Sequence, residues 1–160
     1  MKSLLLTVIA TTALLANPAM AATPGGIPAG TKINVKLNQI RKTDNFVLTP
    51  SMPLFAGVPK LVKGRIYEFK IGTSGQLLGP LAINIPWDNP NKLPNAPTVV
   101  PGTVNYIKVT KSGTLNLDVF TVLATVYKSG GKPVGVSITY TKTTVIPFSN
   151  KSVTMVFEKP

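Results

Sequence analysis

The residue types that carry most enzyme chemistry are missing from this sequence. It contains no cysteine and no histidine, which excludes thiol nucleophiles, disulfides, cysteine-ligated metals and the commonest general base. Catalysis would have to use serine or threonine with lysine, or a pair of carboxylates. The five acidic residues are widely separated along the chain, and no nucleophile motif is present. We therefore predict that the protein is not an enzyme and uses no metal or other cofactor.

Basic side chains are the most numerous candidates for binding. Seventeen lysine and arginine residues outnumber the five acids and give a formal net charge of +12. Such a charge favours an anionic partner, namely an acidic glycan, a lipid or an acidic protein. Nucleic acid is not expected, because the chain has only two arginines and no basic cluster interleaved with aromatic residues. The alternative is that the lysines only protect the edges of a solvated sheet from aggregation.

The candidates for a binding surface are Lys32, Lys36, Arg41, Lys42 and Trp87. Trp87 is the only tryptophan, and it lies in segment 86–101, in which five of sixteen residues are proline. Prolines at that density predict a long extended loop and not a paired interior strand. Two interpretations of Trp87 stay open: the loop presents it to a ligand, or it closes one edge of the core.

The first 21 residues have the pattern of a secretory signal peptide. A basic start is followed by an apolar run at 3–16 and by Ala19-Met20-Ala21, which has the small-x-small pattern of a cleavage site. A membrane anchor is the alternative, but the run is shorter than the roughly twenty residues that span a bilayer. The sequence thus predicts cleavage after Ala21 and export to the periplasm, and then to the surface, of a Gram-negative cell.

The chain after residue 21 is predicted to be a flexible leader, residues 22–30, and then one β-rich domain, residues 31–160. The leader is rich in proline and glycine, which disfavour regular structure. Polar and apolar residues alternate in many of the segments that follow, which is the period of a half-buried strand. The segments predicted to be strands are 31–38, 65–71, 81–85, 104–109, 115–119, 119–127, 134–141, 145–148 and 152–157.

Two of these segments carry further expectations. Residues 119–127 are apolar or β-branched at nearly every position, which is typical of a strand covered on both faces. Gly130 and Gly131 follow that segment and predict a hairpin to the next strand. No ten-residue stretch has a convincing helical period. The pattern predicts an all-β fold, specifically an antiparallel immunoglobulin-like β-sandwich, with a small barrel as the alternative.

The first alternating segment has two interpretations. Its apolar residues Ile33, Val35, Leu37 and Ile40 would fill a groove if the segment paired with the sheet edge of a neighbouring molecule. Each copy would then be an incomplete sandwich, completed by strand donation, and the copies would form a polymer. Alternatively, the segment is the first strand of a self-contained sandwich. The sequence leaves both open.

Together these features resemble the subunits of bacterial fimbriae that are assembled by the chaperone–usher route, in particular those without a disulfide. The resemblance rests on Ala19-Met20-Ala21, on the cysteine-free β-rich chain, and on the alternation at Thr31–Leu37 and Ser152–Phe157. It implies a structural subunit of a fimbria or pilus with an adhesive role, whose partners are other subunits, a periplasmic chaperone and an outer-membrane usher. The alternative function is a monomeric periplasmic or secreted module that binds an anionic partner.

Overall fold

The computed structural model describes residues 23–43, 61–88, 102–112 and 118–160. The predicted signal peptide, most of segment 86–101 and most of the predicted strand 115–119 lie outside these described residues. Within them, no helix is long and apolar enough to cross a membrane.

Eight strands make up most of the described chain. They are β1 Lys32–Lys42, β2 Ile66–Ile71, β3 Leu77–Leu78, β4 Asn84–Ile85, β5 Thr103–Ser112, β6 Asp118–Ser129, β7 Lys132–Thr144 and β8 Ser149–Glu158. The helical elements among the described residues are two 3₁₀ turns, Pro24–Gly26 and Pro80–Ala82. All strand pairs are antiparallel, so the prediction of an antiparallel all-β fold is confirmed.

All eight strands belong to one sheet, in the order β4-β3-β2-β1-β8-β7-β6-β5. Two meanders, β1 to β4 and β5 to β8, are joined where β1 pairs with β8. One face of every strand contributes side chains to a single apolar core. The sheet folds over that core, so the fold is sandwich-like although both of its layers belong to one sheet. An isolated bridge between Trp87 and Tyr106 brings the chain after β4 next to β5, but no ladder among the described residues closes the sheet.

The alternation in the sequence becomes the burial pattern of the strands. Val153, Met155 and Phe157 of β8 point into the core, with exposed fractions of 2% or less. Burying each such side chain stabilises the fold by about 1.5–3 kcal/mol. The ring of Phe157 meets that of Phe69 edge to face, with the two centroids 5.0 Å apart. The strands on either side of β1 are thus joined through the core as well as by hydrogen bonds.

A β-bulge in β1 shifts the alternation after Leu37. Leu37 pairs with Phe157, but the next paired residue is Gln39, opposite Val156. Residues directly opposite each other in an antiparallel pair lie on the same face of the sheet. Ile40, which is opposite the buried Met155, therefore returns to the core face although it follows Leu37 by three positions.

The β6–β7 hairpin is confirmed, whereas the prediction that β6 is covered on both faces is wrong. Gly130 and Gly131 form the turn with φ values of 56° and 77°, the left-handed conformation that two-residue hairpins favour. On the outer face of β6, Leu123 and Tyr127 are 40% and 42% exposed. The reason is that all strands belong to one sheet, which has its core on one side only.

The described part of the leader packs on the domain and is not a free tail, which differs from the expectation. Ile27 is 1% exposed, and the backbone N–H of Gly30 donates a 2.7 Å hydrogen bond to the carbonyl of Ile71. Gly25 has a φ of +55° and lies so close to Val104 that a β-carbon would clash with its side chain. Burial of Ile27 and the absence of a side chain at Gly25 therefore allow this segment to dock.

Two short segments also differ from the strands predicted for them. Segment 81–85 contains the end of a 3₁₀ turn and the two-residue β4, although Ile83 and Ile85 are buried as the alternation implied. Segment 145–148 is the turn between β7 and β8 and not a strand. Its apolar residues do not reach the core.

Candidate functional site

The charged side chains of the described residues lie at the surface. Apart from Tyr106 and Tyr140, none of the described polar or charged residues is buried, and no group of three acidic side chains could hold a metal ion there. Burial raises the pKa of Tyr106 and of Tyr140 well above the usual tyrosine value.

One outer surface collects four cations. Lys32, Lys36 and Arg41 project from the solvent side of β1 because the alternate residues of that strand fill the core. Lys70 of β2 lies directly opposite Lys32 and faces the same way. All four side chains belong to exposed residues. We call Lys32, Lys36, Arg41 and Lys70 the basic face.

Nearby acidic and polar groups only partly compensate these charges. Lys32 Nζ lies 3.1 Å from Glu68 Oε2, with side chains 61% and 46% exposed, and an exposed pair of this kind contributes at most about 1 kcal/mol. The guanidinium of Arg41 donates hydrogen bonds to Gln39 Oε1, which is neutral, so the charge of Arg41 is not cancelled. Glu158 lies directly opposite Lys36 and adds a second carboxylate. Four cations against two carboxylates leave the basic face net positive.

A cavity of about 320 Å³ opens beside Lys70. It lies between Ala29–Gly30 of the docked leader and the turn that joins β2 to β3. Thr73 and Gln76 add polar groups to its wall, and Gln76 Oε1 accepts a 3.0 Å hydrogen bond from the backbone N–H of Ser74. This volume is at the lower end of the range for small-ligand sites. It has room for one ring of a glycan.

The structure brings together three of the five candidate binding residues. Lys32, Lys36 and Arg41 share the basic face. Lys42 follows Arg41 but lies opposite Val153, so it is on the other face of β1. Trp87 follows the edge strand β4, which is three strands away from β1 in the sheet. It is half-buried, packs against the core and pairs with Tyr106. This packing agrees with the interpretation that Trp87 closes one edge of the core.

The four residues proposed for strand donation lie on the core face of a strand that is paired on both edges within its own chain. β1 forms one ladder with β2 and another with β8. Ile33, Val35 and Leu37 are 3%, 1% and 0% exposed, whereas Ile40 is 39% exposed. Segment 31–40 therefore completes the sheet of the chain to which it belongs.

Sequence reasoning missed Lys70 and the cavity beside it. The alternation at 65–71 places Lys70 on the polar side of a strand, but the contact with Lys32 depends on the register of β1 against β2. The cavity also depends on the docking of Ala29–Gly30, residues expected to be part of a flexible leader. Neither feature has a local signal in the sequence.

No protein-family model matches this chain, and no similar protein is found among curated proteins or among solved structures.

Proposed function

We propose that the protein is an exported, non-enzymatic β-sandwich domain that binds an acidic glycan through the basic face. The observation that carries this proposal is that four exposed cations share the outer side of β1 and β2, next to a cavity whose mostly apolar wall includes the polar side chains of Thr73 and Gln76. Because β1 is paired on both edges, the cations are held on a fixed strand and need not be ordered by the ligand.

The spacing of the basic face suits an extended polyanion. Lys32 and Arg41 are nine residues apart on β1, which corresponds to roughly 30 Å at the rise of a strand. A linear acidic glycan that lies along the strand would replace counterions at several cations in turn. Affinity is then expected to fall steeply as the salt concentration rises, because exposed charges are screened within about 10 Å at 0.1 M salt.

The test is binding of the purified protein to dextran sulfate over a series of salt concentrations. The variant Lys32→Gln/Lys36→Gln removes two charges from the basic face, and we expect affinity about tenfold lower at low salt, with a shallower salt dependence. The control variant Lys108→Gln/Lys132→Gln removes the same charge from exposed positions outside that face, and it should bind almost as wild type does.

Equal losses in both variants would mean that net charge alone attracts the glycan, and the basic face would then be rejected as a site. Binding that is absent or independent of salt in the wild type would reject the proposed function altogether. Unchanged melting temperatures are required of both variants, so that a loss of affinity reports the site and not the fold.

A second candidate is a structural subunit of a fimbria or pilus, as the resemblance implies. The observation that favours it is that β1 is the first strand and lies between β2 and β8, in the middle of the sheet. If β1 of one copy occupied that position in the next copy, every ladder would be retained. Residues 43–65 separate β1 from β2. A fully extended segment of that length spans up to about 75 Å.

A further inference from the structure

The turn between β7 and β8 exposes three large apolar side chains at once. Val145, Ile146 and Phe148 are 50%, 69% and 78% exposed, and Phe148 has the highest exposed fraction of the described large hydrophobic residues. They lie at the tip of a hairpin whose strands extend over ten or more residues on each side. An apolar cluster exposed at a hairpin turn is typical of a segment that binds a membrane or another surface.

Cations lie behind this tip. Lys142 and Lys151 are directly opposite each other on β7 and β8, each three residues from the turn segment 145–148. At the rise of a strand they are about 10 Å from the tip. Lys142 pairs with Asp118 at 3.1 Å, whereas Lys151 is exposed and has no ion pair among the residues that the structure describes. Lys42 of β1 lies opposite Val153 of β8 and adds another positive charge, further from the turn than Lys151.

We propose that the β7–β8 turn inserts into the surface of a lipid bilayer that contains anionic lipids. An amphipathic segment at such a surface buries its apolar side about 5–10 Å deep, at the boundary between headgroups and acyl chains. With Ile146 and Phe148 at that depth, Lys151 reaches the level of the lipid phosphates. The order of groups from the tip, apolar side chains first and cations next, matches the order of layers in the bilayer.

Charge favours a bilayer over an apolar groove on a protein partner. A groove would accept the apolar turn, but it would not require the cations that lie behind the turn on β7, β8 and β1. Anionic lipids attract basic residues close to the surface by about 1 kcal/mol each. Asp118 is the one described acidic residue at this end of the sheet, and it is already paired with Lys142. Lys32, Lys36 and Lys70 of the basic face lie towards the opposite end of the sheet, and Arg41, which is opposite Thr154, is on the outer side of β1 and not on the side of Lys42.

The experiment uses the exported protein, with its N-terminus checked by mass spectrometry, and vesicles of phosphatidylcholine with about one third phosphatidylglycerol. We expect flotation with these vesicles, and much less with phosphatidylcholine alone. Ile146→Ser/Phe148→Ser should weaken vesicle binding more than about tenfold because it removes the buried apolar area. Dextran sulfate binding by the same variant should be unchanged.

The matched control is Ile66→Ser, which changes an apolar residue that is 59% exposed but lies outside the hairpin. It should float as the wild type does. A second readout is Phe148→Trp, whose added fluorescence should shift to the blue with anionic vesicles and remain shifted at high salt. Adsorption through the basic face alone would leave this fluorescence unchanged and would be lost at high salt.

The proposal is wrong if the wild type does not bind the anionic vesicles, or if Ile146→Ser/Phe148→Ser floats as well as the wild type. An unshifted Phe148→Trp spectrum in vesicle-bound protein also overturns it. An apolar groove on a protein partner would then be the binding site to test for the exposed turn.

Discussion

Tyr106 buries a hydroxyl group in the core without a hydrogen-bond partner among the described residues. The side chain is 0% exposed and its backbone pairs with Trp87, where the two ends of the sheet approach each other. A buried hydroxyl that lacks a partner costs about 1–3 kcal/mol of stability. Tyr106→Phe removes this group while retaining the ring, so we expect the free energy of unfolding in urea to rise by about 1 kcal/mol.

Tyr67→Phe is the matched control for this prediction. The hydroxyl of Tyr67 accepts a 2.7 Å hydrogen bond from the backbone N–H of Val62, so its removal should lower stability by about 1 kcal/mol. The two tyrosine variants should thus shift the urea midpoint in opposite directions. A destabilised Tyr106→Phe would contradict the prediction and show that its hydroxyl has a partner.

Asp118 links stability to pH at the end of the sheet near the β7–β8 turn. Thr144 Oγ1 donates a 2.8 Å hydrogen bond to Asp118 Oδ1, and Lys142 Nζ lies 3.1 Å from Oδ2. The hydrogen bond from Thr144, and after it Lys142, lower the pKa of Asp118 in the folded protein. A lowered pKa stabilises the fold above the ordinary aspartate value of about 3.9, and this contribution is lost as the pH falls towards the folded-state value.

We therefore expect the wild type to melt at a higher temperature than Asp118→Asn at pH 7, with a difference that shrinks as the pH is lowered from 5 to about 2. Thr144→Val should reduce the same pH dependence in part, because it removes the first cause of the shift and leaves Lys142. Thermal melts over this pH range measure both effects. A gap between wild type and Asp118→Asn that stays constant on acidification would contradict the assignment.

Among the strands, β1 separates the two candidate functions most directly. If β1 completes its own sheet, Val35→Asp places a charge in the core and should abolish cooperative unfolding, at a cost above about 4 kcal/mol. Lys36→Asp, one residue away on the solvent side, should fold normally. The wild type should be a monomer at all concentrations in size-exclusion chromatography with light scattering.

Strand donation predicts the opposite results. The wild type would form concentration-dependent polymers, and Val35→Asp would leave a folded core that no longer polymerises. A polymeric wild type with a monomeric, folded Val35→Asp would therefore replace the self-contained domain with the fimbrial subunit. A monomeric wild type with an unfolded Val35→Asp would exclude donation of β1 as the means of assembly.

The strands were predictable where alternation continued for six or more residues. β2 and β8 have the faces expected of them because a period of two assigns each side chain to one side of a sheet. Apolar composition was a poorer guide than alternation. It wrongly predicted burial of both faces at 119–127, where β-branched residues favour a strand without requiring it, and a strand at 145–148, where four apolar or proline residues form a turn. Apolar composition does not distinguish a buried strand from an exposed tip.

Over the whole molecule, one sheet with one core explains where the charges and the exposed apolar residues lie. The inner face takes the buried apolar side chains of the strands, and Lys32, Lys36, Arg41 and Lys70 are left on the outer face. The basic face runs along the outer side of β1 from Lys32, at the end of the sheet far from the β7–β8 turn, to Arg41, which is opposite Thr154. One molecule therefore presents two surfaces of different chemistry, and each can be changed without altering the other.

Residue types and alternation were enough to predict an antiparallel all-β chain with a strongly basic exterior. These are local properties, since pleating and charge follow from composition and from neighbours in the chain. The contact of Lys32 with Lys70, the docking of residues 23–30 and the central position of β1 depend on strand register and on burial across long sequence separations. No short segment encodes such contacts, because many pairings satisfy the same alternation and only the packed core selects among them.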